Sequence, residues 1–177
     1  MKTISKLFFA VAAVAAVPVF AACGGDIGAG KFVEYRLAAV ATPKTSGSCQ
    51  VDATHTTNLQ NGSSVLIYGI AGTAGDQLFL DLGSKEGVIA GAKQDDGSYL
   101  FKGTTTDLQV NGQTQITVQT TLTVAFTADG KTITGDTVVD VKTSCAGPQC
   151  GQNPGGECTQ TFNFSGVEVP DPDAPAP

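Results

Sequence analysis

The chain has no tryptophan, one methionine and one histidine in 177 residues. With His55 alone, a metal site built on two histidines is excluded. As a general base His55 would need a nucleophile and an orienting carboxylate. Asp52 is close in sequence, but no G-x-S-x-G elbow occurs anywhere. Among Thr54, Thr56 and Thr57, His55 reads as a surface residue. Basic residues are scarce as well, 10 against 16 acidic ones. That balance argues against nucleic acid and anionic headgroups as partners. Long runs of strong helix formers are missing, while threonine and glycine are abundant, a composition that leans to an all-β domain.

What is present begins at the N-terminus. Lys2 and Lys6 precede an uncharged apolar segment over 7–22, which is shorter than the roughly 20 residues a spanning helix needs. A basic start, an apolar middle and a small-residue exit describe a secretory signal peptide. It ends in Phe20-Ala21-Ala22-Cys23, which resembles the lipobox of bacterial lipoproteins, with Phe20 where leucine is usual. The resemblance covers the first 23 residues only. It implies cleavage before Cys23, a thioether-linked diacylglycerol on its sulfur and an acylated amino group, with palmitate-class chains. One acyl chain holds a protein marginally and two or more hold it stably, at about 0.8 kcal/mol per buried CH₂. Gly24 follows, where an aspartate would signal inner-membrane retention in Gram-negative lipoproteins, so the resemblance points to the outer membrane. The alternative is ordinary secretion with cleavage after Ala21. Cysteine parity bears on the choice: lipid on Cys23 leaves Cys49, Cys145, Cys150 and Cys158, which can pair completely.

Removing residues 1–22 leaves 155, one domain of ordinary size, with 8 basic and 16 acidic residues and a charge of −8. Residues 24–31 read as a flexible tether. Gly25, Gly30 and Lys31 match the core of a phosphate-binding loop, but Phe32 stands where Ser or Thr would hold magnesium, and a strand follows rather than a helix.

From 32 to 169 the pattern is of strands. Residues 32–40 place Val33, Tyr35, Leu37 and Ala39 on one face. Residues 43–48 read as a turn-rich break and 51–56 as a short extended piece. The apolar run 65–70 suits a strand covered on both sides, and Leu78, Leu80 and Leu82 alternate as in a half-buried one. Strands 88–93 and 99–110 flank Asp96-Gly97, read as a two-residue turn. A three-residue loop Asn111-Gly112-Gln113 would set Leu108 opposite Ile116 in the core. Between 114 and 145, Ile116, Val118, Leu122, Val124 and Phe126 share one face with Ile133, Val139 and Val141 if Asp129-Gly130 forms the turn, so that Phe126 meets Ile133. Residues 146–156 form a loop, 158–169 a last strand, and the Pro/Asp tail 170–177 is expected to be disordered. These 8–9 antiparallel strands describe a meander closed into a full or partly open barrel, with a β-sandwich as the alternative.

Closure would bring Cys49 near Cys158 and leave Cys145 to bridge Cys150. Cys145 with Cys158 and Cys49 with Cys150 is the rival pairing. The spacing of the last three cysteines lacks the tight pairs of zinc sites, and export favours disulfides. Asp95-Asp96-Gly97 lacks the ligand series of a calcium loop and suits a turn. Tyr35, Tyr68 and Tyr99 could line a ligand mouth, though aromatics on strands are ordinarily packing. No catalytic residue, metal or cofactor emerges. The expectation is a lipid-anchored β domain of the outer membrane, facing periplasm or cell surface, that is not an enzyme and binds a protein or contributes to envelope structure. A lipocalin-like carrier of a small apolar ligand and a carboxylate hydrolase are the alternatives.

Overall fold

The computed structural model describes residues 27, 29–48, 59–72, 77–83, 87–129, 131–152 and 155–170. Cys23, Cys49, Asp52, His55, the extended piece at 51–56 and the tail from 171 lie outside the described residues.

Nine strands follow in order: β1 (Phe32–Val40), β2 (Lys44–Gly47), β3 (Ser64–Ile70), β4 (Gln77–Asp81), β5 (Val88–Lys93), β6 (Tyr99–Asn111), β7 (Thr114–Asp129), β8 (Thr132–Ala146) and β9 (Gly156–Glu168). The described helical structure is one 3-10 turn at Cys150–Gln152. From β3 to β9 each strand pairs antiparallel with the next, the meander that short hairpin loops dictate. β1 pairs with β3 on one side and β9 on the other, so the sheet closes in a ring. β2 continues the line of β1 along the lower half of β9.

The ring is uneven. β6 to β9 have 13 to 16 residues, whereas β1, β3, β4 and β5 have 5 to 9. At roughly 3.4 Å per residue the tall half overhangs the short half by tens of ångströms. Where the two halves face each other the interior is packed. Leu37, Ile67, Leu80, Phe101, Val124, Ile133 and Val139 are fully buried there. Phe126 stacks on Tyr99 at 5.3 Å and on Phe101 at 5.8 Å, and meets Phe164 edge-on at 6.5 Å. Gly91 makes this stack possible: a Cβ there would lie 2.3 Å from the Phe101 ring.

Alternation places the β7–β8 apolar sets on one inward face as expected, but the turn differs. Asp129 pairs with Thr132, so Phe126 faces Gly135 rather than Ile133, and Leu122 faces Val139. The two-residue shift preserves the faces and replaces a collision of large side chains with a glycine beside the Phe126 and Phe164 side chains. The β5–β6 loop has three residues, not two. Gln94 N–H donates to Ser98 O at 2.7 Å, and left-handed Gly97 closes the turn at φ 84°. Residues 44–47, expected as a break, are strand β2. In β1 a bulge at Ala38 turns Ala39 outward and sends Val40 to the core. β3 is buried on one face only; its outward Tyr68 stacks on Phe79 at 5.4 Å.

The body begins before β1. Ile27 is buried, Ala29 bridges Gly69, and Gly30 N–H donates to Gly69 O at 2.9 Å. In the sequence Gly24, Gly25 and Asp26 separate Cys23 from Ile27.

Candidate functional site

The surface that stands out is the far half of β6. β5 pairs with Tyr99, Leu100 and Phe101, and its Ile89 still packs on Gly103. Beyond them β6 runs on to Asn111 with β7 as its single described neighbour, and every residue from Thr104 to Asn111 is exposed. The direction of the free backbone groups follows from the ends of the strand. Ser98 O accepts from Gln94 on the β5 side, so the even-numbered positions of β6 aim their N–H and C=O that way. Asn111 and Thr114 flank a two-residue turn as a hydrogen-bonded pair, so the odd-numbered positions face β7. The Thr104 and Thr121 hydroxyls lie 3.1 Å apart, the close side-chain approach of a pair that shares no backbone bonds. Among the described residues, therefore, no strand meets the outward N–H and C=O groups of Thr106, Leu108 and Val110, which form an open edge.

This geometry overturns the expected position of Leu108. The β6–β7 turn is Gly112-Gln113, with Gly112 at φ 61° in the first position, the sign pattern of a type II′ turn. Gln109, not Leu108, faces Ile116. A one-residue slip moves every side chain to the other face. Leu108 and Val110 thus lie outside, 57% and 67% exposed, while Asp107, Gln109 and Asn111 look into the overhang. The hairpin is braced from β8. Gln149 N–H donates to Thr114 Oγ1 at 3.3 Å, from a loop that the Cys145–Cys150 disulfide closes.

A second feature is an open cleft of about 320 Å³ on the outer face at the β1–β2 break, lined by Ala41, Thr42, Lys44, Asp136, Thr161 and Asn163. Two of its polar side chains are engaged with each other. Asn163 Nδ2 donates to Asp136, and nearby Thr159 Oγ1 donates to Asp140 at 2.6 Å. The row continues in the Lys142–Glu157 ion pair at 2.6 Å, whose contact raises the Lys142 pKa. Among the described residues no group of three His, Cys, Asp or Glu could hold a metal ion.

The other candidates fall as follows. Cys145 and Cys150 are bonded to each other, which removes the rival pairing of Cys145 with Cys158. Cys158 is itself disulfide-bonded, to a partner outside the described residues. Tyr35 and Tyr99 are buried inside the ring and Tyr68 lies outside, so the three share no mouth. Burial raises the Tyr35 pKa, with Glu168 adding to the effect. Asp96 is committed to Ser98, accepting from its hydroxyl at 2.6 Å and its N–H at 2.9 Å, which lowers the Asp96 pKa. The inward acids Asp107 and Glu168 lie at opposite ends, since Asp107 is level with Gly156 and Glu168 is about 40 Å further along β9.

No family model, curated protein or solved structure matches the chain.

Proposed function

We propose that the protein is a lipid-anchored binding module of the outer membrane that captures an extended segment of a partner protein by strand addition along β6. The observation that carries this is the bare edge over Thr106, Leu108 and Val110. It offers alternating hydrogen-bond donors and acceptors, with two exposed apolar side chains for the partner's own alternate residues. The packed aromatic interior suits protein contact better than carriage of a small apolar ligand. The acidic mature domain favours a basic partner segment.

A photoreactive side chain at Val110 tests the reading in intact cells. It should give one discrete protein adduct that the Leu108→Pro substitution abolishes, because proline removes an edge N–H. A photoreactive group at Thr123, beside Lys102 on the outer face, should give none. Equal adducts from both positions, or an adduct indifferent to Leu108→Pro, would contradict strand addition.

A further inference from the structure

Among the described residues, four of the seven exposed large apolar side chains share one face. Phe32, Ile70, Val88 and Leu100 are 63%, 50%, 46% and 38% exposed, and all lie on the outer face of the arc from β1 to the start of β6. Register makes them one surface. Phe32 stands beside Tyr68, Tyr68 beside Phe79 and Phe79 beside Ala90, a row of three aromatics and an alanine across four strands. Ile70 follows Tyr68 on the same face, and Leu100 pairs with Ala92. Contiguous apolar surface on a folded domain marks a contact with something apolar.

The chain's own geometry says what that is. Ile27 is buried and Gly30 is bonded to Gly69, next to Ile70. Four residue steps separate Ile27 from Cys23, at most about 14 Å at ~3.6 Å per step. A lipid on Cys23 therefore cannot hold the domain far from the bilayer, and the chain enters the body at the edge of the apolar face. We propose that this face, centred on Phe32, Tyr68, Ile70 and Phe79, rests on the phospholipid surface as a second contact beside the acyl chains. The inference rests on the reading of Cys23 as the lipid-bearing residue. Lys31 precedes Phe32, and Lys102 follows Leu100 by two positions on the outer face of β6; both are exposed, so each end of the face carries a cation for phosphate groups. Leu108 and Val110 lie 8 and 10 residues beyond Leu100 along β6, about 27–34 Å away, which leaves the open edge clear of the membrane.

The absence of tryptophan supplies the test. Phe32→Trp, Ile70→Trp and Val110→Trp variants each carry a single indole at an exposed position. Each is purified from membranes with its native N-terminus, weighed intact, and reconstituted into phosphatidylcholine vesicles containing brominated phosphatidylcholine. Emission of the Phe32→Trp and Ile70→Trp proteins should be blue-shifted and quenched several-fold more than that of the Val110→Trp protein. Acylated protein with equal quenching at all three positions overturns the docking face and leaves the anchor standing. An intact mass without lipid on Cys23 overturns both.

Discussion

Thr137 is fully buried, and among the described residues its hydroxyl has no hydrogen-bond partner. Leaving a buried hydroxyl unpaired costs about 1–3 kcal/mol, so Thr137→Val should raise the denaturant midpoint, corresponding to about 1 kcal/mol of stability. Gly91 presents the opposite case. Gly91→Ala drives a methyl into the Phe101 ring and the Leu100 carbonyl, and should cost about 1–3 kcal/mol in the same titration. Asp96 links stability to pH. Its pKa is lowered in the folded protein by the Ser98 hydroxyl and N–H, so its contribution exists above the ordinary carboxylate range and is lost as pH falls through the folded value. Wild type should therefore melt above Asp96→Ala at neutral pH, and the two melting curves should converge in acid. The role of Asp96 in the turn was legible in the sequence from Asp-Asp-Gly. The orphan hydroxyl of Thr137 was not, because nothing along the chain tells an inward threonine with a partner from one without.

At the scale of the strand, alternation decides faces and turn chemistry decides register. Val124, Phe126, Ile133, Val139 and Val141 all point inward, as their spacing implies. Asp129-Gly130 and Asn111-Gly112 each allowed turns displaced by a residue, and glycine position alone did not choose between them. The slip at Asn111 hid the candidate site, since it placed Leu108 in the core. The signal available was on the opposite face: Thr105, Asp107, Gln109 and Asn111 are too polar to oppose an apolar core, yet neither is Thr104–Thr106–Leu108–Val110 apolar throughout. What leaves this hairpin half exposed is the shortness of β5, a property of a different segment. The strand's two sides can be told apart by proline. Leu108→Pro removes an N–H at the open edge and should leave stability within about 0.5 kcal/mol of wild type. Asp107→Pro removes a bond to β7 and leaves a β7 carbonyl unpaired, and should cost about 1–3 kcal/mol. Chemical denaturation of the two variants checks the contrast.

The whole molecule is a ring with a short side and a tall side, and its covalent links sit on the tall one. Cys145–Cys150 braces the loop behind the β6–β7 turn. Gly47 pairs with Cys158, so Cys49, two residues further along, is the expected partner of that bonded cysteine. Peptide mapping without reductant should recover Cys49 joined to Cys158, leaving Cys23 as the cysteine for lipid. Ring closure was readable from strand count, whereas the unequal strand lengths were not, since they depend on where each pairing ends. Amide hydrogen exchange of the purified protein measures the open edge directly. The amides of Thr106, Leu108 and Val110 should exchange at rates close to those of an unfolded chain, while Asp107, Gln109 and Asn111, bonded to β7, are protected. Equal protection of both sets would mean that the edge is covered and that strand addition along β6 does not occur.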